Sequence, residues 1–464
     1  MPEPRTPLLG LCPIGKFVFS HEDALRFKKL IEAKLDAWGV DYVNIDDAAP
    51  EGLIHDVADV ERVVAHLRAK QVDAVFMPHC NFGTEHAVGL IGRELGVPVL
   101  IWGPRDEAPR PDGTRLRDTL CGLFASTKVL GKLGVPFTYL DNCRLDEPAF
   151  RDGLDTFRRA VHVAGALRNG IRIGQVGGRI DFFWTTIINE SELLERFKIE
   201  VLPIDLVEFI AAVRRRVAEQ GAAYESEIAD LKEALVIEGY DRDEPIMNVL
   251  ATRDEMLARR REHGLDGFAF KTFMSIVNEL GTYTCWADAM VAEHCPVALE
   301  TDIHGAVSNV LLRRAALGDG ATFSAEFTVR HPENDNAVLL WHAGAPLSMC
   351  HPDETPRIST HWILPSPLSG MPHFRLKDGP LTVARFDGDG GRYQLAAGEG
   401  RSVDGPKTLN NYVWMEVDDW PRWERTLMEG PFIHHCGMSY GHLADALVEA
   451  CKYVPGLEPV RLNG

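Results

Sequence analysis

Three side chains able to hold a divalent cation stand in apolar company. Glu279 and Asp302 bracket the run GTYTCWADAMVAEHCPVALET, and His435 follows 133 residues after Asp302 in FIHHCGMSYGH. Carboxylate oxygens and an imidazole nitrogen suit a hard or borderline divalent ion, and a dry setting strengthens the attraction. The carboxylates lie at the two ends of one helix-plus-strand unit and the histidine comes from far along the chain, so these groups are expected to meet where elements abut. Each also has a plain structural alternative. Glu279 can cap a helix or remain a solvated charge, and Asp302 can cap the helix that begins at Ile303. Of the adjacent His434 and His435 only one is expected to bind metal, because neighbouring side chains diverge in direction.

The elements that must position these groups follow from apolar patterning. In the first ~165 residues, strands expected at Leu8–Ile14, Asp41–Ile45, Asp73–His79 and Val97–Gly103 alternate with amphipathic helical stretches, which indicates βαβ units and a parallel sheet. In a doubly wound domain of this kind the functional loops lie at the carboxyl ends of the strands, here Pro13–Lys16, Pro78–His86 and Trp102–Glu107. A second α/β unit begins near Ile171 with IRIGQVGGRIDFFW, continues through long charged helices from Leu206 to His263, and closes with a strand from Gly267 and a helix around Thr284–His294. From about residue 321 to 420, short β-like runs broken by Gly, Pro and Asp predict a small antiparallel sheet or barrel. The fold class is therefore α/β: two doubly wound parallel-sheet domains (1–168 and 169–295) and a β-rich C-terminal domain (296–464).

Length agrees, since 464 residues exceed the ~100–200 typical of one domain. A formal net charge of −19 argues against a nucleic-acid surface. No apolar run approaches the ~20 residues of a membrane helix, and the N-terminal segment lacks the pattern of a signal peptide, so a cytoplasmic location is expected. The nine cysteines show no regular framework and are expected to be free. The glycines of IGQVGGR depart from the dinucleotide fingerprint in spacing, which gives NAD little support.

Taken together, Glu279, Asp302 in ALETDIHGAVS, the segment IHHCGMSYGHLAD and the N-terminal loops HCNFGTEHA and VLIWGPRDE resemble the L-fucose isomerase and L-arabinose isomerase superfamily over nearly the whole chain. The resemblance implies an aldose–ketose isomerase with Mn²⁺, or alternatively Co²⁺ or Mg²⁺, bound by one Glu, one Asp and one His. On this sequence these are Glu279, Asp302 and His435, the histidine being chosen by counting back seven residues from His442 in the resembled motif. It further implies that the two carboxylates move the proton through a cis-enediol, and that the chain forms a homo-oligomer, a trimer or hexamer. Open positions on such an ion accept a carbonyl and the neighbouring hydroxyl together.

Around that centre, His434 is expected to touch a small-molecule sugar substrate. Lys271 is placed at a substrate-binding position or else is solvated. Asn81 and Trp102 are of types that contact a sugar by hydrogen bond and by stacking, and Lys16 lies on the same rim. His79, Glu85 and His86 read as rim residues or as a second metal site. Arg179 can hold an anionic substrate group or bridge domains. Two other functions compete: a sugar-binding protein without turnover, and a related metal–enediol enzyme that cleaves a carbon–carbon bond or uses a sugar acid.

Overall fold

A computed structural model describes residues 5–318, 320–364 and 366–464. Contacts divide the chain into two compact units, one ending at Gly165 and the other running from Ala166 to Gly464.

In the N-terminal unit, five parallel strands lie in the order Tyr42–Val43, Leu9–Leu11, Ala74–Pro78, Val99–Trp102 and Phe137–Tyr139. The central strand AVFMP is buried along its whole length, as a parallel strand covered on both faces requires. Helices His21–Ala37, Val60–Ala69, Glu85–Leu95 and Thr119–Lys132 connect the strands. The first of them is capped by the Ser20 hydroxyl, which accepts from the Asp23 amide. The strand Phe137–Tyr139 is an addition to the four expected ones; its three residues are too few to show a period.

The second unit begins with a four-stranded parallel sheet, ordered Val297–Ala298, Gly267–Phe270, Ile171–Val176 and Ile199–Ile204. Helix Leu206–Ala234 is capped by Asp205, whose carboxylate accepts from the amides of Val207 and Glu208. The barrel follows. Strands Arg392–Val403, Pro380–Asp389, His435–Tyr440, Phe323–Arg330, Ala337–His342 and Asn411–Glu416 pair antiparallel in that order, and the last returns to the first. Closure removes the open edges that a six-stranded sheet would otherwise expose. The strand Leu457–Arg461 adds to the barrel in parallel after the C-terminal helix Ala444–Ala450, beyond what the sequence pattern predicted.

One helix joins the two sheets of this unit. Helix Ile303–Ala315 is buried on nearly every face and packs against strand Gly267–Phe270 on one side and strands Pro380–Asp389 and His435–Tyr440 on the other. Its close approach needs Gly437: a Cβ there would lie 2.8 Å from Asn309 Oδ1 and from a Leu312 methyl. The helix thus packs against both the α/β sheet and the barrel, within the single compact unit Ala166–Gly464. Among the described residues no helix is long and apolar enough to cross a membrane, and all nine cysteine thiols are free.

Candidate active site

The carboxyl end of the second parallel sheet meets the barrel wall at four side chains. Glu300, Glu326, His342 and His435 each bring one ligand-type atom within 4.8 Å of the others. Glu300 sits in the turn between strand Val297–Ala298 and helix Ile303–Ala315, and both it and Thr301 have φ of +58°. Two consecutive non-glycine residues in the left-handed region carry roughly 1–3 kcal/mol of strain each, which the surrounding structure must over-determine. Glu326 and His435 are direct cross-strand partners on neighbouring barrel strands, so the pleat presents both on one face. His342 is the last residue of the strand on the other side of Glu326, and its Nε2 lies 3.1 Å from Glu326 Oε1.

His435 is held from behind. Its Nδ1 lies 3.0 Å from Asp302 Oδ2, and Asp302 is in turn gripped by Arg385 through contacts of 2.5 and 3.2 Å. Asp302 also caps its helix, accepting from the Gly305 amide. Burial alone would raise the Asp302 carboxyl; Arg385 and His435 outweigh it and hold the group well below the usual carboxylate range. With Nδ1 engaged, His435 directs Nε2 at the cluster, 3.4 Å from Glu300 Oε2 and 3.5 Å from Glu326 Oε1. Those are ionic contacts without hydrogen-bond geometry, and Nε2 is buried with no hydrogen-bond partner. Burial favours neutral His435, yet the surrounding carboxylates raise its pKa well above the ordinary value. Glu326 is correspondingly lowered against its own burial by His342 and His435.

This donor set fits a divalent cation. Two carboxylate oxygens and two imidazole nitrogens converge on one point, one imidazole has an orphaned nitrogen aimed there, and a carboxylate behind it fixes the ring, as metal-ligating histidines require. A cavity of about 220 Å³ opens beside the cluster, walled by Glu300, Glu326 and His342 together with Tyr283, Trp341 and His361.

The structure redistributes the residues singled out by sequence. His435 stands in the cluster as expected. Asp302 stands directly behind it: its oxygens are taken by Arg385, His435 and the Gly305 amide, so it orients the histidine instead of facing the cluster. Glu279 is not brought there. It lies at the exposed end of helix Met274–Leu280, 2.7 Å from Arg214, with 56% of its side chain accessible. His434 is exposed, and its Nε2 borders the cluster, 3.7 Å from the Glu326 Oε1 that faces His342 and His435. Lys271 follows strand Gly267–Phe270, and its stem packs beside Gly177.

Arg179 lies in the loop after strand Ile171–Val176. Its Nη1 donates to the carbonyls of Ile180, Asp181 and Phe183 and so ties its own loop. In the N-terminal unit, Trp102 is fully buried against Phe76 and Phe150 and offers no face to a sugar. Asn81 is equally buried. Its Oδ1 accepts from the Lys16 and Phe82 amides and its Nδ2 donates to the Lys16 and Ser20 carbonyls, which leaves nothing over for a sugar. Lys16 pairs with Glu85 at 3.1 Å and lies over the Phe82 ring. His79 is bonded to Ser126 and the Met77 carbonyl, so no second metal group forms with Glu85 and His86 among the described residues.

Glu300, Glu326 and His342 were missed by the sequence reading. The available signals were an acid in the middle of the apolar strand FSAEFTV, a histidine ending AVLLWH, and a second acid two positions before Asp302.

Matches to fucose and sulfoquinovose isomerases, on a chain whose carboxylate–imidazole cluster lies where the second parallel sheet meets the closed barrel, make the protein a sugar aldose–ketose isomerase, an intramolecular oxidoreductase. The signature described as "Fucose/sulfoquinovose isomerase, N-terminal domain" matches residues 10–168, and "L-fucose isomerase, C-terminal domain" matches residues 370–455. The chain belongs to the L-fucose isomerase-like superfamily. It is 26% identical over 410 residues to the sulfoquinovose isomerases of Priestia aryabhattai and Priestia megaterium (strain ATCC 12872 / QMB1551), covering 86% of this chain and 88% of each relative. It is 26% identical over 342 residues to that of Alkalicoccus urumqiensis, covering 73% of this chain and 74% of the relative.

Proposed function

We propose that the protein is a metal-dependent isomerase acting on a pentose, a 6-deoxyhexose or a modified sugar, with a divalent cation held by Glu300, Glu326, His342 and His435. The observation that carries this reading is the convergence of those four donors on one point beside a cavity. When bound, the ion would act as a Lewis acid that polarises the substrate carbonyl and makes the neighbouring C–H more acidic.

The remaining work falls to side chains of the chain. Glu300 projects from the end of the parallel sheet and Glu326 from the barrel, so two carboxylates from different elements border the same space. One takes the proton from the carbon beside the carbonyl and the other serves the oxygens, giving a cis-enediol; return of the proton to the neighbouring carbon completes the interconversion. Asp302 keeps His435 in one ring orientation, and Arg385 keeps Asp302 ionised. Tyr283, Trp341 and the flanking apolar wall limit water, which favours retention of the proton within the pair.

The names of the relatives support sulfoquinovose as the first sugar to assay. The resemblance also supports a homo-oligomer and Mn²⁺ as the first metal to supply. The deciding experiment strips the protein with a chelator, restores Mn²⁺, Co²⁺ or Mg²⁺ singly, and follows aldose–ketose interconversion across a panel containing sulfoquinovose, L-fucose and L-arabinose. Activity that disappears with the metal and returns with it is expected. Full activity in the stripped protein, or sugar binding with no turnover under any metal, would overturn the proposal.

A further inference from the structure

One wall of the cavity carries a histidine whose tautomer is fixed by the backbone. His361 Nδ1 accepts from two amides, those of Ile363 at 3.0 Å and Leu364 at 3.1 Å. A nitrogen that accepts two N–H groups has its lone pair occupied and carries no proton, so the ring proton of neutral His361 resides on Nε2. Burial, followed by the charge of nearby His342, lowers its pKa to about 4, with Glu300 and Glu326 opposing from the same cavity. Phe-like in shape but carrying one fixed donor, the ring sits between Tyr283 and Trp341, at centroid separations of 5.9 and 6.4 Å.

The partner of Nε2 is unusual in its backbone. Asn410 lines the same cavity, is fully buried, and has φ of +65°, a region that asparagine tolerates better than other non-glycine residues. Its main-chain N–H donates to His373 Nδ1 at 2.7 Å, and the Leu409 carbonyl before it accepts from Trp341 Nε1 at 2.7 Å. The amide nitrogen as placed lies 3.3 Å from His361 Nε2, donor facing donor, while Oδ1 is buried without a partner. Turning the amide through 180° removes the donor–donor contact, because Nε2–H then meets Oδ1 and Nδ2 takes the place of the partnerless oxygen. At 3.3 Å this is a long bond, and a donor so weakly engaged can be shared with a ligand oxygen.

We propose that His361 is a substrate-binding residue, an Nε2–H donor to a sugar oxygen, and that Asn410 is the positioning residue that keeps it aimed. This rests on the isomerase reading of the adjoining cluster, but it is separable from it. A neutral donor suits a hydroxyl or ring oxygen, is not drawn into the ion cluster as an imidazolium would be, and does not compete for the cation because its only lone pair is spent on the backbone.

The tautomer is tested without substrate. In protein labelled with ring-¹⁵N histidine, a long-range proton–nitrogen spectrum, assigned by the loss of one ring in His361→Gln, is expected to show Nδ1 unprotonated and Nε2 protonated throughout pH 6–8. An Nδ1–H tautomer or an imidazolium there would overturn the proposal. Kinetics with the aldose that wild type turns over fastest test the contact. His361→Phe is expected to raise KM about tenfold with kcat within threefold, the effect of one lost neutral hydrogen bond. His361→Gln, which retains an N–H donor, should stay within threefold of wild-type KM. Asn410→Gly, compatible with the positive φ, should raise KM less than His361→Phe and add nothing in the double variant. An unchanged KM in His361→Phe, or additive effects in the double variant, sinks the assignment. Should His361→Phe fail to bind one metal per chain as wild type does, the Gln and Gly variants carry the test. Wild type without turnover on any aldose overturns the isomerase reading itself, whereas the ring spectrum still reports on the tautomer.

Discussion

Polar residues at strand ends in the two units differ in how much of their bonding capacity the fold consumes. In the N-terminal unit, three hydrogen bonds of Asn81 serve the loop from Lys16 to Ser20 and the fourth is accepted from the Phe82 amide. His79 is bonded at both nitrogens, and Arg117 is surrounded by Asp23, Asp106 and Glu107. At the junction of the second sheet and the barrel, His435 Nε2 and His342 Nδ1 are buried without hydrogen-bond partners. Two carboxylates and two imidazoles press together on strained backbone there. A buried polar group with every bond made internally holds a loop, whereas one with a valence left over is costly unless a ligand takes it. Residue type alone does not distinguish the two cases.

The contrast can be broken most sharply at Glu326. Glu326→Gln is expected to lower turnover roughly 10²–10⁴-fold and weaken metal uptake, with little change in melting, as read by steady-state kinetics and metal analysis. A variant that stays active would show that the leftover valence has no use. Arg385→Met comes next. It strands the buried Asp302 charge and should destabilise the protein by about 3–5 kcal/mol in denaturant, and metal affinity should fall roughly 10–100-fold as His435 loses its fixed orientation. Metal affinity that remained unchanged would mean the Arg385–Asp302 contact serves folding alone.

The N-terminal unit should respond in stability only. His79 is fully buried, and burial lowers its pKa to about 4, whereas the unfolded value is about 6.5. Between those values the unfolded chain binds more protons, so stability falls as pH drops from about 6.5 to about 4 and is retained above. The loss amounts to about 3 kcal/mol in total. Urea titrations across that range should show the slope in wild type and a flatter one in His79→Gln; identical slopes would refute it. Asn81→Ala leaves two amides and two carbonyls of the rim loop short of partners and should cost about 1–3 kcal/mol, with metal affinity unchanged by calorimetry. The smallest effect is expected for Glu279→Gln. An exposed pair with Arg214 contributes within about 1 kcal/mol, and both turnover and metal binding should match wild type.

Sequence made the architecture readable because buried parallel strands and amphipathic helices leave repeating patterns. Leu9–Leu11, Ala74–Pro78 and Val99–Trp102 all fall inside the expected strands. So does the change to antiparallel β-structure after residue 321, where short runs are broken by turn residues. The site was legible only in part. His435 and the neighbourhood of Asp302 were found, but the expected partner, Glu279, was chosen for its position in a motif. The acid that reaches the cluster, Glu300, stands on a left-handed turn that no local pattern announces. Glu326 and His342 are set by barrel register, through Glu326 facing His435 across one pairing and lying beside the strand of His342 across another. Trp102 and Asn81 have residue types common in sugar sites, yet both are consumed by the core.

Apolar period and turn chemistry in the chain thus determined the kinds of structure present, while the residue types around Asp302 and His435 raised the expectation of a carboxylate–imidazole centre and their motifs carried the resemblance to the superfamily. Which carboxylates and imidazoles meet was decided by tertiary structure. Strand register, barrel closure and the seating of helix Ile303–Ala315 bring together residues 26, 16 and 93 positions apart in sequence. Such convergence depends on long-range pairing, and no local stretch of sequence encodes it.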